Sequence, residues 1–98
     1  MIEIIEHGAI HEIRMARPPV NALNPELLGS LIAAIESAPR NGARALILSG
    51  GEKVFSGGLD VPYLMSQDRA GLAACWTLFF EAARALARCP VQIGRAHV

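Results

Sequence analysis

The chain has 98 residues, 52% of them hydrophobic and 18% charged, which is enough apolar material for one small core and too little for two. Nine Lys and Arg balance nine Asp and Glu, so no basic field exists to attract nucleic acid or an anionic membrane, and neither is expected as a partner. Two cysteines, Cys75 and Cys89, are too few and too widely spaced for a disulfide framework or a zinc site, and a reducing cytoplasm is the default location.

The N-terminus, Met1 to Glu6, lacks the basic flank and small-residue cleavage site of a secretory signal. Ile2 to Glu6 and Ala9 to Met15 mix β-branched with polar residues around a His7-Gly8 turn and predict an antiparallel hairpin. Arg17-Pro18-Pro19-Val20-Asn21 cannot continue a strand, because two prolines remove two ladder donors. Asn24 then stands as a cap before Pro25, and Leu27, Leu28, Leu31, Ile32 and Ile35 recur at helical spacing until Pro39 and Gly42. Arg44 to Ser49 reads as a strand buried on both faces, reached from the helix by a parallel crossover.

Past the glycine-rich stretch Val54-Phe55-Ser56-Gly57-Gly58-Leu59, Asp60 is placed to cap a short helix that tolerates Pro62 in its first turn. A longer helix follows from about Arg69 to Arg88, with Leu72, Trp76, Phe79, Ala83 and Leu86 as its apolar stripe. Glu81 and Arg84 interrupt its apolar run and argue for a buried helix over a membrane span, and so apolar a helix needs cover from a partner subunit or further chain. Cys89-Pro90-Val91 stops that helix and begins another strand, which Gln92 to Val98 is expected to leave unfinished. The last six residues, Ile-Gly-Arg-Ala-His-Val, also read like an in-frame translation of a sequencing-adapter oligonucleotide, so residues 92–98 are expected to lie outside the domain of residues 1–91. His7, His11 and His97 are expected at exposed strand or tail positions.

The glycine-rich stretch fits neither a phosphate-binding P-loop, since Lys53 lies between Glu52 and Val54, nor a dinucleotide fingerprint, whose glycine spacing differs. A nucleophile elbow would need glycine where Val54 stands, which leaves Ser56 as a hydroxyl for local backbone with a serine-hydrolase role as an alternative. An oxyanion site built from backbone amides survives, with glycines admitting close approach and a helix N-terminus adding partial positive charge. Asp60 would oppose an oxyanion unless its carboxylate turns to cap the helix. A plain linker between strand and helix is the other reading.

The stretches "RPPVNALNPELLGSL" and "RALILSGGEKVFSGGLDVPYL", at this separation and before a long helix ending "ARCPV", resemble the enoyl-CoA hydratase/isomerase (crotonase) superfamily over nearly the whole chain to Val91. The resemblance implies an α/β fold, the crotonase-like (ClpP/crotonase) ββα spiral in its N-terminal part only. It implies an acyl-CoA thioester as substrate with no separate cofactor and no metal, fatty acid metabolism as the setting, and a homo-oligomeric parent, a trimer or dimer of trimers. By that resemblance the Leu59 amide is the catalytic oxyanion donor, and Ala22, Gly57, Gly58, Leu59, Asp60 and Val61 line the substrate. Leucine at position 59 is closer to the isomerases, while hydratases more often carry alanine there. The family's second amide and its catalytic carboxylates belong to elements at or beyond a glycine-rich turn after Pro90-Val91, so this chain is expected to lack turnover alone. Position 62, often a lysine, is Pro62, and Arg17 and Lys53 are expected as ordinary surface charges. A CoA-binding remnant without catalysis, or a poorly folded piece, is the alternative from a different class.

Overall fold

The computed structural model describes residues 1–96; the expectation for His97 lies outside them. Strands β1 (Ile2–His7) and β2 (Ile10–Met15) pair antiparallel from Ile2↔Met15 to His7↔Ile10. The turn between them is made by Gly8 in the left-handed region at φ 66°, where a side chain would be strained. Helix α1 (Pro25–Ser37) begins as expected: the Asn24 side chain accepts from the Leu27 N–H at 2.9 Å, and Pro25 occupies the first helical position.

Strand β3 (Ala45–Ser49) lies parallel to β2, so α1 is the crossover between them. Helices α2 (Val61–Met65) and α3 (Arg69–Arg88) follow, and strand β4 (Gln92–Ala96) closes the sheet parallel to β3, giving the order β1-β2-β3-β4. The strand expected to fail after Val91 therefore forms. Its backbone ladder runs from Ala45↔Gln92 to Ser49↔Ala96, and pairing of amides and carbonyls needs no apolar pattern in the side chains.

One face of the sheet packs on α1. Ile13 and Met15 of β2 and Leu46 and Leu48 of β3 meet Leu27, Leu31 and Ile35 in a single buried cluster. Each such side chain contributes roughly 1.5–3 kcal/mol by leaving water. The other face of β3 is only half covered, since Ala45 and Ile47 are half-buried, so the expectation of burial on both faces is corrected. Beside them, on the same face of the sheet, Glu12 is buried. Its carboxylate accepts from the Ser49 hydroxyl at 2.6 Å and from Arg14 Nη2 at 3.1 Å, and it meets His7 Nε2 at 2.9 Å. These partners, Ser49 first and then His7, hold the Glu12 carboxyl down at about 2.

Two further expectations change, the exposure of His11 and part of the α3 stripe. His11 is 3% exposed, because its side chain shares the α1-facing side of β2 with Ile13 and Met15. Helix α3 is mostly uncovered within this chain, as expected of a helix that needs cover from elsewhere: only Cys75 and Ala82 are buried on it, while Trp76 and Phe80 are 44% and 61% exposed. Leu72, Phe79 and Leu86 of the predicted stripe face inward, but Cys75 and Ala82 take the places expected for Trp76 and Ala83, because their small side chains let α3 lie close against Leu28 of α1. By length and composition alone α3 is long and apolar enough to cross a membrane, a test that core helices of soluble proteins also pass.

Candidate functional site

Two loops that are far apart in sequence lie side by side at one end of the sheet. The first joins β2 to α1, and the second joins β3 to α2. Leu23 and Leu59 form a parallel bridge, with the Leu23 N–H donating to the Gly58 carbonyl at 2.8 Å and the Asp60 N–H donating to the Leu23 carbonyl at 3.0 Å. The Gly57 N–H donates to the Val20 carbonyl at 2.7 Å. Asn21, buried and in the left-handed region at φ 52°, donates from Nδ2 to the Phe55 carbonyl at 3.1 Å. Asparagine tolerates that conformation better than most side chains, which is the local signal its position carried.

Ser56 is consumed by the same clamp. Its hydroxyl donates to the Asn21 carbonyl at 2.8 Å and accepts from the Gly58 N–H at 3.1 Å. No histidine or carboxylate bonds to it among the described residues, as expected for a hydroxyl serving local backbone. Gly58 stands at φ 87°, a conformation that admits glycine and strains other residues.

This pattern accounts for every N–H from Gly57 to Asp60 except one. Those of Gly57, Gly58 and Asp60 have internal acceptors, and that of Leu59 has none among the described residues. The parallel bridge explains why. Leu23 uses its own N–H and carbonyl to bond the residues on either side of Leu59, so the Leu59 amide is directed away from the Leu23 loop. Half-buried Leu59 thus presents a free donor on backbone fixed at both neighbours.

Asp60 is oriented as the capping role requires. One carboxylate oxygen accepts from the Tyr63 N–H at 3.1 Å, and the other pairs with Arg17 Nη2 at 3.0 Å. Arg17 also donates from Nη1 to the Ala22 carbonyl at 2.9 Å, so it is a built-in member of the site and not the ordinary surface charge expected from sequence. Val61, at the start of α2, is 60% exposed, and Gly57 is exposed beside it in the chain.

An apolar cavity of about 190 Å³ lies next to the clamp, walled in part by Leu23, Phe55, Ser56, Leu28, Phe79 and Ala83. None of Ala22, Gly57, Gly58, Leu59, Asp60 or Val61 is on that wall, although Ser56 and Leu23 bond directly to their backbone. Glu36 and Glu81 line a separate groove between the C-terminal ends of α1 and α3, away from the loops. Among the described residues no group of three metal-binding side chains comes together.

The family model described as enoyl-CoA hydratase/isomerase matches residues 6–94. A probable enoyl-CoA hydratase, echA17, of Mycobacterium avium is 43% identical over 51 residues, and this chain spans only 20% of its length. Among solved structures, Pseudomonas aeruginosa DspI superposes with a TM-score of 0.90 at 28% identity, covering 98% of this chain and 40% of that one. The probable enoyl-CoA hydratase EchA3 of Mycobacterium tuberculosis gives 0.88 at 32% identity, covering 96% of this chain and 40% of that one. With a crotonase-type α/β fold and a family match across most of its length, the chain belongs to the enoyl-CoA hydratase/isomerase family.

Proposed function

We propose that this chain contributes one amide of an oxyanion-stabilising site for an acyl-CoA thioester. The single observation that carries the reading is the Leu59 N–H, left without an acceptor between three neighbours that all have one. A thioester carbonyl seated there gains negative charge as an enolate forms. A fixed amide then stabilises the charged state more than the ground state, an effect worth about 3 to 4 kcal/mol per donor in comparable sites. The clamp supplies the rigidity, because an amide already held in place need not reorganise during reaction.

The reaction class is double-bond migration or hydration next to the thioester. Among the described residues the one carboxylate at the site is that of Asp60, which is engaged by Arg17 and Tyr63. We therefore expect the 98-residue chain to bind crotonyl-CoA without hydrating it. Calorimetric titration should give saturable binding, tighter than for the thioether analogue that lacks the carbonyl, and a hydration assay should show no turnover. Equal affinity for thioester and thioether would overturn the assignment of Leu59, and measurable hydration by the chain alone would overturn the division of labour.

A further inference from the structure

We propose that Arg17 is a positioning residue for the Leu59 amide, holding its loop in place and cancelling the charge of Asp60 beside it. The proposal rests on the oxyanion reading above. Arg17 grips both loops at once: Nη2 pairs with Asp60 Oδ2 at 3.0 Å, and Nη1 donates to the Ala22 carbonyl at 2.9 Å. Its own backbone N–H donates to the Asn21 side chain at 2.7 Å, and that side chain in turn donates to the Phe55 carbonyl. A planar guanidinium with several donors can bridge two acceptors in this way, whereas a lysine ammonium is a single point of charge.

The charge matters because the pair is drawn away from water. The side chains of Arg17 and Asp60 are 30% and 12% exposed, so neither is screened as a surface pair would be. Asp60 follows Leu59 directly, and its N–H is anchored on the Leu23 carbonyl. An unbalanced carboxylate at that position would repel the same developing negative charge that the Leu59 amide is placed to stabilise. Arg17 removes the conflict without taking the Leu59 donor for itself.

A purely structural role for Arg17 makes a different forecast, and a double-variant cycle separates the two. Arg17→Gln leaves the Asp60 charge unbalanced. Asp60→Asn removes that charge and keeps an oxygen for the Tyr63 cap, and the pair Arg17→Gln/Asp60→Asn has neither charge. The readout is the ratio of affinities for crotonyl-CoA and its carbonyl-free thioether, with the carbonyl stretching band of the bound thioester as a second signature.

Arg17→Gln is expected to lower the ratio roughly tenfold and to weaken the shift of the carbonyl band toward lower frequency. The double variant is expected to recover to within about twofold of wild type, because the two effects couple through one charge. Arg17→Lys keeps the charge but not the two-loop bridge, and should give a ratio between those of Arg17→Gln and wild type. Should Arg17→Gln fail to fold, Asp60→Asn alone decides, with a ratio equal to or above wild type expected and a fall overturning the proposal. A double variant as impaired as Arg17→Gln, or an Arg17→Gln ratio equal to wild type, overturns it as well. A wild-type chain that does not tell thioester from thioether overturns the acyl-CoA reading first, and the proposal with it.

Discussion

Acid should unfold this chain through Glu12. The carboxyl lies at about 2 in the folded state against an ordinary 4.5, lowered chiefly by the Ser49 hydroxyl and then by His7, with Arg14 adding to both against the cost of burial. At about 1.4 kcal/mol per tenfold change in proton affinity, that difference sets a ceiling of roughly 3 kcal/mol. Two partners are open to water, His7 at 53% and Arg14 at 41% exposure, and screening brings the expected contribution to about 1–2 kcal/mol. Because the folded value is the lower one, this stability is fully present above about pH 4.5 and is lost as the pH falls from there toward 2. Urea denaturation at half-unit steps from pH 7 to pH 2.5 measures it. Glu12→Gln should be about 1–2 kcal/mol less stable than wild type at pH 7, and the two curves should converge toward the acid end. Parallel curves across that range would refute the assignment of acid sensitivity to Glu12.

Other variants probe the clamp and the core. Gly58→Ala should lower stability by about 1–2 kcal/mol, measured by thermal unfolding, because alanine is strained at φ 87°. Ser56→Ala should cost about 1–2 kcal/mol by stranding the Asn21 carbonyl and the Gly58 N–H, and it should leave labelling by an active-serine probe at its wild-type background. Leu28→Ala should cost about 2–4 kcal/mol in the same melts, since Leu28 is fully buried where α1 meets Cys75 and Ala82 of α3. Trp76→Glu should reduce binding of an apolar dye to the exposed aromatic group of Trp76, Phe79 and Phe80 while leaving the unfolding transition within about 0.5 kcal/mol.

Much of the fold was legible because its signals are local. Asn24 and Asp60 announce the starts of α1 and α2 by offering a side-chain oxygen three residues upstream of an unpaired amide, and both bonds are present. Gly8 announces the hairpin by its conformation alone. The features that escaped a reading of the sequence are those decided by meetings between distant segments. Nothing next to Arg17 in sequence points to Asp60, and nothing next to Glu12 points to Ser49, yet these pairs set the electrostatics of their surroundings. His11 alternates correctly with Ile13 and Met15 as a core-facing residue, a period-two signal that polarity hid. The facing of α3 was legible in Leu72, Phe79 and Leu86 but not in Cys75 and Ala82, because close approach selects small side chains, whereas a hydrophobic stripe counts large ones. At the glycine loop the motif located the backbone, but only the pairing with Leu23 shows which amide is left over.

The clamp joins residues 34 and 35 positions apart, so forming it closes a long loop of chain. Closing so long a loop carries an entropy cost that local helix formation avoids, and the parallel pairing of β2 with β3, from Ile10↔Ala45, carries the same cost. The clamp's amides should exchange with deuterium as a cooperative unit, and a molecule held there would slow that exchange by a factor set by the ratio of its concentration to its Kd. Deuterium uptake at Gly57, Gly58 and Asp60 would then report occupancy without any need for turnover.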